Sequence, residues 1–265
     1  EFIFFNFIFA NEYKEEKGMK LFEPIKIGNV ELKNRVIMAP MENGMAAVGT
    51  GEVTDRIIAF FEERAQHNIA MIMPGSIGVS PEGRGLPTQL SLFDEKQVAG
   101  HKRLVDAIHS KGSLVAAQLY HAGRQASEAI TGLDPLAPSA IPCGILQNHP
   151  KEITHEQMDR IKEQFRQAAR WSIEAGYDIV EVHFAHGYLL HSFMSTHTNH
   201  RTDEYGGSFE NRIKYPMDVL KTVIDEVNGE VPVQIRVSVD EYVDDGMKFE
   251  EVKTVCHVAK EMGVA

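Results

Sequence analysis

Apolar residues alternate along this chain between short unbroken runs and helical spacings. Residues 36–40 read as a strand, halted by Pro40 because proline cannot donate to a ladder. Thr54 then caps a helix in which Ile57, Ile58, Phe61 and Ala65 share one face. A second strand over 69–73 ends at Pro74-Gly75, and Val98, Leu104, Val105 and Ile108 predict a helix that stops at Gly112. Residues 113–119 form the third strand. The segment from Gly123 to about Ile153 carries Pro135, Pro138, Pro142 and Pro150 and is too long for an ordinary connection; it reads as a functional loop or small hairpin over a site. Thr154 and Gln157 make a capping box for a helix through Met158, Ile161, Phe165 and Ala168. Past Gly176 lies the fourth strand, 178–184, followed by a long loop from Gly187 to Gly207. Ser208 caps a helix reaching Asn228, 231–237 is strand five, and a last helix spans 249–262.

Glycine recurs at the helix-to-strand junctions, at Gly112, Gly176, Gly229 and Gly263. Strands alternating with long helices mean βαβ units and a parallel sheet. Five units fit, and the helix ending at Gly263 should lead into a sixth strand. Residues 19–265 read as one α/β domain with no linker dividing it. Residues 1–18, apolar over 2–10 and then polar, read as an extension without a catalytic role, the rival reading being a membrane-touching hairpin or aggregation-prone strand.

Composition narrows the partners. Net charge is −11, which argues against nucleic acid or an anionic membrane surface while leaving room for a phosphorylated cofactor. Two cysteines cannot build a disulfide scaffold, so a cytoplasmic protein is the expectation. No apolar run reaches the roughly 20 residues of a membrane span.

The candidate chemistry gathers at the end of the fourth strand, where His183, His186 and Tyr188 fall within six residues. Parallel α/β folds build active sites at such strand ends, because these open into the ligand crevice. With His191, His197 and His200 nearby, a metal-dependent hydrolase is one reading. Neither His-x-x-x-His nor a glutamate at metalloprotease spacing occurs here, and a metal would leave Tyr188 unexplained, so no metal site is expected.

Several segments resemble the old yellow enzyme family of flavin-dependent ene-reductases, in the branch of 2,4-dienoyl-CoA and enoate reductases. They are Asn34-Arg35-Val36-Ile37-Met38-Ala39-Pro40-Met41, Gln118-Leu119-Tyr120-His121-Ala122-Gly123-Arg124, His183-Phe184-Ala185-His186-Gly187-Tyr188, and the stretch from Asn199 to Arg212. The resemblance covers 19–265 and implies an eight-stranded (β/α)8 TIM-type barrel holding FMN. It implies hydride transfer from NADH or NADPH through flavin to the C=C bond of an α,β-unsaturated carbonyl or acyl-CoA thioester. Since only five to six βα units are counted, the chain is read as a C-terminally truncated barrel whose FMN-phosphate loops lie past Ala265. A cofactor-poor, inactive fragment is therefore the alternative. In a longer parent chain of this branch an iron–sulfur cluster and FAD often follow the barrel; a homo-oligomer is compatible with the resemblance.

The resemblance also assigns roles. His183 and His186 donate hydrogen bonds to the substrate carbonyl oxygen, where charge grows as hydride arrives, and Tyr188 gives a proton to the α-carbon. Ala39, Pro40, Met41 and Gly75 line the ring, while Gln118 and Arg236 meet its pyrimidine edge. Gln118 can donate and accept, and Arg236 is a fixed cation for an anionic ring. The plain alternatives are a capped core glutamine and a core arginine paired to a carboxylate. The stretch from Arg201 to Arg212 reads as structural support for the fourth loop, with Gly206-Gly207 shaping a turn before the Ser208 cap. Two positions depart from the family pattern. Glu42 stands where a small or neutral group is common, and it either faces away or makes the flavin harder to reduce. Pro74 stands where a polar residue is frequent, leaving the ring's carbonyl edge to backbone groups and Ser76.

Overall fold

The computed structural model describes residues 19–146 and 148–265. The reading of 1–18 as an extension lies outside the described residues.

The first element is an antiparallel hairpin, β1 (Ile25–Ile27) and β2 (Val30–Leu32), turning at Gly28-Asn29. The sequence reading lacks it, although a glycine–asparagine pair between two triplets that alternate apolar and charged residues, Ile-Lys-Ile and Val-Glu-Leu, is a two-residue hairpin signal. The curved parallel sheet follows: β3 (Ile37–Met38), β4 (Met71–Ile72), β5 (Ser76–Gly78), β6 (Leu114–Tyr120), β9 (Ile179–Phe184) and β10 (Val233–Val237). Its order is β10-β9-β6-β4-β3, with β5 also against β6. Helices α1 (Asp55–Ala65), α2 (Val98–His109), α4 (His155–Glu174), α6 (Phe209–Val227) and α7 (Phe249–Glu261) follow successive strands. This is a curled half-barrel of βα units, as the alternation of run and helix predicts. Ala265 N donates to Val233 O at 2.9 Å, so the last residue runs alongside β10 where a sixth strand is expected.

Strand boundaries differ from the sequence reading in one informative place. The second strand does not stop at Pro74-Gly75. Met71 pairs with Leu114 and Ile72 with Val115, but Ser76 pairs with Gln118, so four steps on one strand match three on the other. The extra residue is a bulge, made by a proline without an N–H and by Gly75 at φ +110°. It turns the chain into the barrel mouth beside Gln118.

Two further differences concern the loops. The proline-rich excursion holds a short helix α3 (Glu128–Thr131) and a two-stranded sheet of β7 (Leu136–Ala137) and β8 (Lys151–Glu152), which pair in parallel rather than as a hairpin. The span between Gly187 and Gly207 contains α5 (Leu189–Met194), every residue of which is buried. Six residues give too little periodicity to read as a helix.

Alternation along β6 and β9 divides the core. Val115, Ala117 and Leu119, with Val180, Val182 and Phe184, face the helices and pack in the main cluster with Phe61, Leu104, Phe165 and Leu220. Burying each of these valine, leucine and phenylalanine side chains contributes about 2 kcal/mol. On the inner face, Ala116 and Ile179 join Met71, Met73 and Leu32 in a second apolar cluster, so the β1–β2 hairpin closes the bottom of the sheet's concave side. The next inward positions, Gln118, Tyr120, Glu181 and His183, are polar or aromatic and buried. Bottom to top, the interior passes from apolar plug to polar floor to mouth. No helix among the described residues is long and apolar enough to cross a membrane.

Candidate active site

Parallel pairing sets the layers of the mouth. Ser76, Gln118 and Glu181 lie in register on β5, β6 and β9, with Gln234 opposite Glu181 on β10. One layer up, His183 is opposite Arg236. Glu181 was not singled out from the sequence, yet it centres the floor. Its Oε1 accepts from Gln118 Nε2 and its Oε2 from Gln234 Nε2, both at 2.6 Å. Burial pushes its carboxyl above the usual range, opposed by the two amides and the charge of Arg236. The signal was in the sequence: a carboxylate inside an apolar run, two residues before His183 and so on the same strand face.

His183 is buried, and Ala185 N donates to its Nδ1 at 3.1 Å. The neutral ring therefore carries its proton on Nε2. Burial, with the nearby His186, Arg236 and His191, pushes its pKa down to about 3. His186 is exposed and sits in the left-handed region at φ +63°, its N–H donating to Ser238 Oγ at 3.0 Å and its carbonyl accepting from Gln125 Nε2 at 2.6 Å. These bonds, from the loops after β10 and β6, hold a conformation that costs a non-glycine residue of order 1–3 kcal/mol. Its pKa too is lowered, by burial and then by Arg236.

Tyr188 starts α5 rather than ending a strand. Its ring meets those of Tyr120 at 4.9 Å and His183 at 5.0 Å, edge to face, and His183 and His186 are also 5.0 Å apart. Burial, then the Glu42 carboxylate, raises the Tyr188 phenol above its ordinary value. The structure thus brings the three residues of the strand end into one cluster.

Glu42 does not face away. Its Oε1 accepts from Ser76 N at 2.8 Å, Ser76 Oγ at 2.5 Å and Gln89 Nε2 at 3.0 Å. Gln89 Oε1 in turn accepts from the buried Tyr120 hydroxyl at 2.7 Å. The Ser76 hydroxyl proton, expected to serve a ring carbonyl, is directed at Glu42. Gly75 lies beneath: a Cβ there would stand 3.4 Å from Glu42 Oε1. Ala39, Pro40 and Met41 run from β3 along the rim, and Met41 is 58% exposed.

Arg236 decides between a core ion pair and a ligand site. Its half-buried guanidinium makes no ion pair or hydrogen bond with any described residue, and it lines an open cavity of about 750 Å³ together with Glu181, His186, Ser238, Asp240 and Tyr242. A partly desolvated cation without a partner is costly and marks a place for an anion. A smaller cavity of about 290 Å³ adjoins it past His186, walled by Arg124, His191 and Glu241. His191 Nε2 and Glu241 Oε1 there are 3.1 Å apart but out of line for a hydrogen bond.

Among the described residues, one group of three could hold a metal: His155, Asp203 and Glu204, away from the strand end. Asp203 is bound there by Arg201, which holds its carboxyl well below the usual range. The stretch from Arg201 to Arg212 is knitted to its surroundings. Arg201 Nη1 donates to Ile153 O at 2.8 Å and Arg212 Nε to Met194 O at 2.7 Å, tying the loop to the excursion and to α5.

Comparison with known proteins places the chain in a family. Residues 20–265 match the model of the NADH:flavin oxidoreductase/NADH oxidase family. The chain is 39% identical to NADH oxidase of Thermoanaerobacter brockii over 246 residues, which is 92% of this chain and 38% of that protein. It is 37% identical to NADPH dehydrogenase of Bacillus velezensis over 245 residues, 92% of this chain and 71% of that one. It thus spans under two fifths of the first relative and about seven tenths of the second. Among solved structures, 2-naphthoyl-CoA reductase in complex with 2-naphthoyl-CoA superposes with a TM-score of 0.89 at 29% identity, covering 92% of this chain and 39% of that one. Morphinone reductase in complex with tetrahydroNAD gives 0.84 at 30%, covering 93% and 72%. With the half-barrel, the layered mouth and a family match along nearly all of its described length, this chain belongs to the NADH:flavin oxidoreductase/NADH oxidase family, whose members use FMN and NAD(P)H.

Proposed function

We propose that the mouth described above is the substrate half of an FMN-dependent ene-reductase, acting on a C=C bond conjugated to a carbonyl or thioester. The observation that carries this is the pairing of two unlike donors beside an unpaired cation: neutral His183, with its proton on Nε2, next to Tyr188 and in register with Arg236. The donor set fits FMN. Arg236 offers an unpaired charge to the anionic edge of the ring, Gln118 an amide, and Ala39, Pro40, Met41 and Gly75 a rim of small or apolar groups with backbone exposed at a glycine.

FMN held by Gln118, Arg236 and the rim from Ala39 to Met41 would supply the hydride, drawn from NAD(P)H, that the alkene β-carbon receives. The chain's own residues act on the other end of the substrate. His183 Nε2–H, with His186 beside it, donates to the carbonyl oxygen and stabilises the charge that grows there; neutral imidazoles suit this, because they polarise without losing a proton to it. Tyr188 holds the proton delivered to the α-carbon. Its raised pKa keeps the hydroxyl protonated at neutral pH, and an enolate is basic enough to take that proton. The acyl-CoA bound by the 2-naphthoyl-CoA reductase relative and the dinucleotide analogue bound by morphinone reductase support thioesters and NAD(P)H as the classes to try first.

Separate half-reactions test the reading. In Tyr188→Phe, flavin reduction by NAD(P)H continues at the wild-type rate while alkene reduction slows by roughly 10²–10⁴. Equal losses in both half-reactions contradict the proton-donor role.

A further inference from the structure

We infer that Glu181 is a positioning residue for the flavin: its carboxylate fixes which edge of the Gln118 amide faces the mouth and leaves Arg236 free of a partner. The inference rests on the FMN reading above. An ionised carboxylate only accepts hydrogen bonds, whereas a primary amide can turn either end to a neighbour. Glu181 Oε1 and Oε2 each take one amide N–H, from Gln118 and Gln234 respectively. Both glutamines must therefore turn their nitrogens to the floor. Gln118 has a second N–H and its carbonyl oxygen left, a donor and an acceptor of the kind that the C(=O)–N–H edge of a pyrimidine-type ring requires. Each carboxylate oxygen is directed at one amide N–H, and although each keeps a second lone pair the Arg236 guanidinium forms no ion pair with it, so Glu181 feels that charge only from a distance. An apolar residue at 181 would fill the floor at less cost than a carboxylate that is 4% exposed, so the charge has a use other than packing.

The test uses Glu181→Gln, which keeps the shape and removes the directionality, in the wild-type and Gln118→Ala backgrounds. FMN dissociation constants come from quenching of flavin fluorescence, with thermal melts as a fold control. Glu181→Gln is expected to weaken FMN about tenfold, the equivalent of one hydrogen bond, yet to change it less than twofold once Gln118 is gone. An equal loss in both backgrounds, or none in the wild type, overturns the proposal. A flavin-free measurement separates this from failure of the FMN reading. The side-chain NH2 resonances of Gln118, identified by their loss in Gln118→Ala, should move in Glu181→Gln. They should also move in the wild type as acid protonates Glu181, which is faced by Gln118, Gln234, Arg236 and His183; this arm stands if Glu181→Gln fails to fold. Resonances that stay in place overturn the clamp whatever FMN does. A chain that shows the shift but binds no FMN refutes the FMN reading, and with it the role of Glu181 toward flavin, leaving a structural clamp only.

Discussion

At the scale of the residue, the strand end works by suppressing ionisation rather than by providing it. His183 has its pKa pushed from 6.5 to about 3, chiefly by burial, so it stays neutral through the working range. The rate of alkene reduction should accordingly show no step from His183 between about pH 5 and 8, the range in which an unperturbed histidine titrates. A step near the ordinary histidine value that vanishes in His183→Asn contradicts this. Glu42 is the position where the sequence left two outcomes open, and the hydrogen bonds from Ser76 and Gln89 choose the inward one. Its charge raises the Tyr188 phenol and, on the proposed reading, would oppose an anionic ring placed over Gly75. Glu42→Thr is expected to raise the flavin midpoint potential by tens of millivolts, about 30 mV being the two-electron equivalent of about 1.4 kcal/mol. No rise on substitution means that the carboxylate has no influence on the ring.

At the scale of the element, the mouth depends on loops that are themselves pinned. Gly206 has no room for a side chain, since a Cβ there would stand 2.1 Å from Arg201 O. Arg212, nearly fully buried, satisfies Met194 O at the end of α5 and Gly207 O at 2.8 Å, and pairs with Glu251 on α7. Arg212→Met should lower the unfolding free energy by about 3 kcal/mol, because it leaves buried acceptors and one carboxylate unpaired. It should also perturb Tyr188, which starts the same helix α5. A denaturant titration within 1 kcal/mol of wild type argues against that tie. Thr154, whose hydroxyl accepts from Gln157 N while Gln157 caps Thr154 N, is a simpler case: Thr154→Ala should cost about 1 kcal/mol with no change at the mouth.

Elements of this second kind were the ones legible in the sequence. The capped helices α1, α4 and α6 begin at Thr54, Thr154 and Ser208 as their side chains predict, and the four junction glycines all have positive φ. Elements defined by tertiary contact were not legible. Helix α5 is buried on every side and has no amphipathic period, the bulge at Gly75 shows only in the register against β6, and β8 pairs with β7 in parallel through a connection that no local turn signal specifies. The site divides the same way. Tyr188, His183 and His186 could be read from one short segment, and Gln118 from its place near a strand end, but the joint made at the floor could not. Gln118, Glu181 and Gln234 belong to three strands, and only their pairing reveals that one carboxylate holds two amides.

At the scale of the whole molecule, the buried neutral histidines link stability to pH. His101, His121 and His183 are each buried, with pKa values lowered from 6.5 to about 4, about 4 and about 3. Between those values and 6.5 the unfolded chain binds more protons than the folded one, so stability falls as pH drops through this window. Glu181, with a raised pKa, works in the opposite direction, as does His109 above about pH 6.5, but the lowered His186 and His191 add to the three buried rings and outweigh them. The melting temperature should decline steadily from pH 7 to pH 4, and His101→Gln should flatten the decline; a melting temperature unchanged across that range contradicts the burial of these rings as neutral species.

On the proposed reading the mouth holds FMN, and Arg236 is the cation beside its ring. Titrating purified chain with FMN, in wild type and in Arg236→Gln, tests it most directly. A yellow one-to-one complex is expected in the wild type, with a dissociation constant at least tenfold higher in Arg236→Gln and unchanged melting of the flavin-free protein. A wild-type chain that stays colourless with added FMN, or an Arg236→Gln variant that binds it equally well, refutes Arg236 as the flavin's partner.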